Sequence, residues 1–79
     1  MNICFAINQG SKILKNKLIS NSGLDSEILM AKTIKKDRNY ILLNSNYIIN
    51  RNELNNFYNL IEQRSLGNPI AYLINKKFF

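Results

Sequence analysis

Seventy-nine residues, 46% of them hydrophobic, suffice for one small core and are too apolar for a disordered chain. There is no histidine and a single cysteine, Cys4, which excludes an internal disulfide, a thiolate metal cluster and a histidine general base. Eleven lysines and arginines against five acids leave a net charge of +6, which invites an anionic partner.

The first predicted helix places Ile3, Ile7, Leu14 and Leu18 on one face, with Gly10 in the same stripe and Gln9, Lys12 and Asn16 on the other side. A glycine inside a helix costs about 1 kcal/mol relative to alanine, so Gly10 marks either a close helix crossing or a kink. The apolar run Ile3-Cys4-Phe5-Ala6-Ile7 is shorter than a signal-peptide core and has no basic stretch before it. No apolar run approaches the ~20 residues of a transmembrane helix. A cytoplasmic location is expected, with no membrane as partner.

Ser20-Asn21-Ser22-Gly23 reads as a turn. A second helix follows over about residues 24–35, with Leu24, Ile28, Ala31 and Ile34 inward and Leu29 and Met30 flanking. Asp25 and Glu27 near its start and Lys32, Lys35 and Lys36 near its end match the helix dipole. That polarity accounts for five of the sixteen charges without a ligand. Asp37 is the expected N-cap of a short third helix over residues 38–43, which carries Tyr40, Ile41, Leu42 and Leu43. Asn44-Ser45-Asn46 ends it, and Tyr47-Ile48-Ile49 is expected as a packed loop or a partial turn, since a lone three-residue strand has no ladder to join.

The fourth helix has the strongest signals. Asn50 and Glu53 form a capping-box pattern, Leu54, Phe57, Tyr58 and Ile61 repeat at helical spacing, and Gly67 supplies the stop. Asn68 is then an N-cap and Pro69 a first position for a last turn or two over residues 70–74. These elements make an all-α bundle of four or five helices with short connections. Its expected core is Ile7, Leu14, Leu18, Ile28, Ala31, Leu42, Phe57 and Ile61.

No set of residues presents itself as catalytic, cofactor-binding or metal-ligating. Asp25 and Glu27 lie two apart on different helix faces and read as first-turn stabilisers, not as an acid–base pair. Gly10, Gly23 and Gly67 are too far apart to cradle a phosphate or cofactor. Pro69 is expected to set the helix start and Tyr72 to pack its ring with its hydroxyl at the surface. The charge supports a rival reading, a small basic helical nucleic-acid-binding protein, through Lys12, Lys15 and Lys17 and through Lys32, Lys35 and Lys36. No aromatic residue is interleaved with either cluster, and no base-reading motif accompanies them. Asn, Ile and Lys supply 34 of the 79 residues, a bias that raises lysine on any solvated face.

Three segments together resemble the N-terminal domain of the release-factor glutamine methyltransferases (the HemK/PrmC family). They are Leu24-Asp25-Ser26-Glu27-Ile28-Leu29-Met30-Ala31, Arg38-Asn39-Tyr40-Ile41-Leu42-Leu43 and Gly67-Asn68-Pro69-Ile70-Ala71-Tyr72-Leu73. Their order and spacing agree from about residue 10 to the end. Ile74 stands where that family usually has glycine, and Lys77 where it often has glutamate.

The resemblance implies that residues 1–79 form an N-terminal helical domain for substrate recognition, with residues 74–79 beginning a linker to a catalytic domain. In such enzymes a Rossmann-like domain binds S-adenosylmethionine and methylates the Gly-Gly-Gln glutamine of class 1 peptide release factors. The implied partners are a class 1 release factor and the protein's own catalytic domain. The catalytic domain's Gly-rich cofactor loop and Asn-Pro-Pro-Tyr clamp do not occur in these 79 residues, so the resemblance transfers a recognition role and no catalytic residue. A domain excised from a longer enzyme and a shortened reading frame both fit. Phe78 and Phe79 are expected to pack on the linker or the following domain.

Overall fold

Asn2, Asp37 and Asn50 begin three of the helices by the same device. Each side chain accepts a hydrogen bond from the backbone N–H three residues on, at 2.8 Å in every case, from Phe5, Tyr40 and Glu53 respectively. Such caps satisfy N–H groups that a helix start leaves unpaired. At Asn50 the Glu53 carboxylate returns a bond to the Asn50 N–H at 3.1 Å, completing the expected capping box. The computed structural model describes residues 1–75 and contains α1 (Ile3–Asn16), α2 (Ser22–Ile34), α3 (Arg38–Leu43), α4 (Arg51–Ser65) and α5 (Ile70–Asn75). The expectation for Phe78 and Phe79 lies outside the described residues.

The helices α1, α2 and α4 end alike. In each, two consecutive N–H groups fold back onto the last turn: Leu18 onto Lys15 and Ile19 onto Leu14, Lys35 onto Lys32 and Lys36 onto Ala31, Gly67 onto Arg64 and Asn68 onto Gln63. This closure needs one residue in the left-handed region. Gly67 fills that position as expected, at φ 102°. The other two are Leu18 (φ 63°) and Lys35 (φ 60°), which carry a Cβ into a region that favours glycine.

α2 lies at the centre and packs on all four other helices. Its buried arc is Asp25, Ser26, Leu29, Met30, Thr33 and Ile34, which lies to one side of the expected face. Of the residues expected inward, Ile34 is buried, Ile28 and Ala31 are half-buried, and Leu24 is exposed. The difference has a physical cause. Three polar residues occupy the arc, and each finds a partner: Asp25 pairs with Arg64, the Ser26 hydroxyl donates to the Ile7 carbonyl at 2.8 Å, and the Thr33 hydroxyl donates to the Leu29 carbonyl at 2.8 Å. Hydrophobic periodicity cannot register such positions.

Gly10 settles as a close crossing. A Cβ built there would meet Ser26 Oγ at 2.7 Å and the Ile61 Cδ1 and Phe57 Cζ atoms at 2.8 Å, so α1, α2 and α4 converge on a bare backbone. Ser22 and Gly23, expected in the turn, are the first residues of α2 instead. They are small where α1 passes: the Ser11 and Ser22 hydroxyls meet at 3.4 Å, and a Cβ on Gly23 would stand 3.9 Å from Ser11 Oγ.

The core comprises Ile3, Ala6 and Leu14 of α1, Leu29, Met30 and Ile34 of α2, Ile41, Ile49, Phe57, Leu60, Ile61 and Leu73. Leu14, Phe57 and Ile61 were expected; Ile7 and Ala31 are partly buried against it. Leu18 and Leu42 were expected in the core and are not there. Leu18 is 91% exposed because α1 ends at Asn16 and the chain reverses before another helical turn brings residue 18 inward. Leu42 is exposed because the short α3 directs Ile41 inward. The segment 47–49 is a loop in which only Ile49 is buried, while Tyr47 and Ile48 are exposed. Ile48 pairs with Asn2 in an isolated antiparallel bridge, held by Ile3 N–H to the Tyr47 carbonyl and Ile49 N–H to the Met1 carbonyl, both 3.0 Å.

Two outcomes follow from these backbones. Replacing Gly10→Ala gains about 1 kcal/mol of helix propensity but overpacks the crossing, a cost of roughly 1–3 kcal/mol. Urea unfolding is expected to show a net loss, and Ile61→Val, which removes the Cδ1 in the way, should recover part of it; a more stable Gly10→Ala protein would refute the crossing. Leu18→Gly and Lys35→Gly should each raise stability by about 1 kcal/mol through relief of the left-handed strain, read as a higher thermal midpoint.

Candidate interaction surface

Arg64, in the last turn of α4, joins three elements. Its Nε donates to Asp25 Oδ2 at 3.0 Å, and a terminal nitrogen of its guanidinium donates to the Asn68 carbonyl at 3.1 Å. The start of α2, the end of α4 and the entry to α5 are thereby fixed together. The Asp25 side chain is 7% exposed and Arg64 22%, so solvent screens this pair little. Two residues on, Glu27 accepts from Arg38 of α3 at 2.9 Å in a more exposed pair, which contributes about 0–1 kcal/mol. Asp25 does lie in the first turn of α2 as expected, yet both acids also reach a neighbouring helix, one on each side. Sequence reading missed Arg64. The available signal was a lone arginine near the end of an amphipathic helix, which names no partner 39 residues away.

The Gly67–Leu73 run closes α4 and opens α5. The first bond of α5 runs from the Leu73 N–H to the Pro69 carbonyl at 3.2 Å, so Pro69 is the N-cap and the helix starts one residue later than expected. Asn68 contributes its carbonyl to Arg64. Leu73 is the buried anchor, whereas Tyr72, expected to pack its ring, is 59% exposed. Where Ile74 replaces the glycine of the resembled pattern, α5 continues through Asn75.

A groove of about 180 Å³ opens between α1, α2 and α3, walled by Ile3, Ile7, Ile41 and Leu42 with Cys4 and Glu27 at its edge. Small-molecule sites begin near ~300 Å³, so it is too small for a nucleotide-sized cofactor. Among the described residues no group of three His, Cys, Asp or Glu side chains could hold a metal ion, and no helix is long and apolar enough to cross a membrane. The Tyr47 phenol lies near the Glu53 carboxylate, which raises its pKa above the ordinary 10.0; it stays protonated at neutral pH.

The outer surface carries the remaining chemistry. Met1, Phe5, Tyr47 and Ile48 are exposed around the N-terminus, and Leu18, Leu24 and Leu66 around the opposite ends of the helices. Of the two lysine clusters, Lys12, Lys15 and Lys17 are all exposed on and just after α1. In the other, the Lys36 ammonium lies 5.2 Å from the centre of the Tyr40 ring, an intramolecular cation–π contact.

Helix order, caps and the Arg64 junction define a small all-α helical module. The family model described as the PrmC N-terminal domain matches residues 6–74, and the chain belongs to that family. It is similar to the release factor glutamine methyltransferase of Clostridium botulinum, with 35% identity over 66 residues, 84% of this chain and 23% of the relative. The release factor glutamine methyltransferase of Buchnera aphidicola subsp. Schizaphis graminum is 33% identical over 79 residues, 100% of this chain and 28% of the relative. A bifunctional methyltransferase of Rickettsia felis is 40% identical over 65 residues, 81% of this chain and 12% of the relative. The chain spans between an eighth and somewhat over a quarter of the length of these relatives. No solved structure matches it.

Removing Arg64 would strand the buried Asp25 carboxylate. Arg64→Ala is expected to cost roughly 2–4 kcal/mol in urea unfolding, somewhat less than the ~3–5 kcal/mol of a fully buried pair broken one-sidedly, because Arg64 is partly exposed. The paired change Asp25→Leu with Arg64→Met should recover most of that loss. A single variant as stable as the starting protein would mean the pair contributes nothing.

Proposed function

We propose that this chain is the release-factor-recognition domain of a peptide chain release factor glutamine N5-methyltransferase. In this reading it acts in the cytoplasm during translation termination, and residues 74–79 lead toward a catalytic domain. That domain would supply the chemistry, transfer of a methyl group from S-adenosylmethionine to the side-chain amide nitrogen of glutamine. The observation that carries the reading is the match to the PrmC N-terminal domain over residues 6–74, joined to relatives named as release factor glutamine methyltransferases.

The physical case rests on what a glutamine in a flexible loop offers an enzyme. An active site that grips only the loop must order it at an entropic cost and gains little contact in return. A second domain that holds a remote surface of the same substrate raises the effective concentration of the loop at the chemistry and restricts its orientation. A rigid helical bundle with exposed apolar groups and a net charge of +6 suits that task.

An enzyme of this family, assayed with and without the segment corresponding to residues 1–79, tests the assignment. Deletion should lower kcat/KM for methylation of an intact class 1 release factor at least ~10-fold. Methylation of a short Gly-Gly-Gln peptide should change much less, because the peptide lacks the remote surface. Equal activity on the intact factor after deletion would rule the recognition role out.

A further inference from the structure

At the end of the bundle where α1 runs into α2, three features occur that the core does not explain. The first is charge. From Met1 to Leu24 the sequence contains no acid, while Lys12, Lys15 and Lys17 are all exposed. Of the five acids that follow, Asp25 pairs with Arg64, Glu27 pairs with Arg38, and Asp37 and Glu53 serve helix starts, while Glu62 is exposed near the end of α4. Among the described residues no ion pair holds any of the three lysines.

The second feature is Leu18. It occupies the left-handed position of the α1 closure at φ 63° and is 91% exposed. A leucine there costs roughly 1–2 kcal/mol of backbone strain, and its side chain returns nothing to the core. Strain of this kind concentrates at functional positions. The third is a pair of exposed apolar residues at that end. Leu24 precedes Asp25 and Leu66 lies two residues after Arg64, so the 3.0 Å bond between those charges brings both leucines to the same end of the bundle. Both are exposed.

We propose that this end is a docking surface for an acidic protein segment that presents an apolar pocket or side chain to Leu18. The lysines pair with the partner's carboxylates, which steers the encounter and sets its orientation. Leu18 supplies the contact that gains by leaving water. A phosphate backbone would use the lysines and leave the leucines wet, and the stretch from Lys12 to Leu24 has no aromatic residue on which a base could stack. The chemistry therefore favours protein over nucleic acid. The proposal deepens the release-factor reading, and rests on it for the identity of the partner.

Calorimetric titration of the chain with a purified class 1 release factor at ~0.1 M salt tests it with two variants. The triple change Lys12→Glu, Lys15→Glu and Lys17→Glu should weaken binding at least ~10-fold, since each reversal removes one favourable contact and adds a repulsion. Leu18→Gly should weaken binding about threefold or more while raising the thermal midpoint, so a loss of affinity there cannot come from misfolding. Unchanged affinity in both variants overturns this surface and leaves the release-factor reading standing. If the starting chain does not bind a release factor, that reading fails, and an alternating Glu-Leu peptide becomes the probe. Binding of the peptide that the triple change abolishes sustains the surface, and no binding overturns it. Binding of a 20-base-pair duplex at ~200 mM salt, lost in the triple variant and indifferent to Leu18→Gly, would overturn the proposal in favour of nucleic acid.

Discussion

At Gly10 the backbone of α1 comes so near α2 and α4 that one added methyl group would lie within 2.8 Å of Ser26, Ile61 and Phe57 together. Much else in the bundle depends on that approach. It lets the Ser26 hydroxyl reach the Ile7 carbonyl at 2.8 Å, a bond from side chain to backbone that a wider helix spacing would break. It also seats Phe57 and Ile61 against α1. The helix propensity lost at glycine, about 1 kcal/mol, is offset by the apolar area that close packing removes from water, worth roughly 25 cal/mol per Å².

α2 is the second organising element, and it works through polar atoms as much as apolar ones. Its Leu-Asp-Ser-Glu start sends Asp25 to α4, Ser26 to α1 and Glu27 to α3, one neighbour for each successive residue. At 100° per residue three consecutive side chains fan across more than half of the helix circumference, which suits a helix surrounded by partners. Two of the three segments that carry the family resemblance, 24–31 and 67–73, meet through Arg64, and the third, 38–43, is tied to the first by Arg38. Recognisable sequence and structural junctions coincide because these junctions depend on particular side chains, whereas most core positions accept any apolar residue of the right size.

A surface module of this kind needs a firm frame and an unsatisfied exterior. The frame is supplied by caps, closures and the Asp25–Arg64 pair, with no buried side-chain nitrogen or oxygen among the described residues left without a hydrogen-bond partner. The exterior is strained in two places, at Leu18 and Lys35, and apolar in several. A left-handed leucine that is almost wholly exposed is the opposite of what stability alone would select. It is the feature of the surface that calls most strongly for a partner.

Local structure was legible from the sequence because its causes are local. Asn50 with Glu53, Asp37 before a short apolar helix, and Gly67 before Pro69 each act within a few residues, and each marks a helix boundary to within one position. The all-α class and the family resemblance followed from the same signals. What the sequence could not determine was which side of each helix faces inward when polar residues share the buried arc. Leu24 and Leu42 read as inward-facing by hydrophobicity and lie outside, while Asp25, read as a first-turn stabiliser, and Ser26, outside the apolar pattern, lie inside. Their burial is made tolerable by Arg64 and by the Ile7 carbonyl, which are 39 and 19 residues away. Only the tertiary fold brings such partners together, and only then does a buried carboxylate become favourable. The same holds for Gly10, where the sequence left a kink and a crossing equally open until three helices were placed around it.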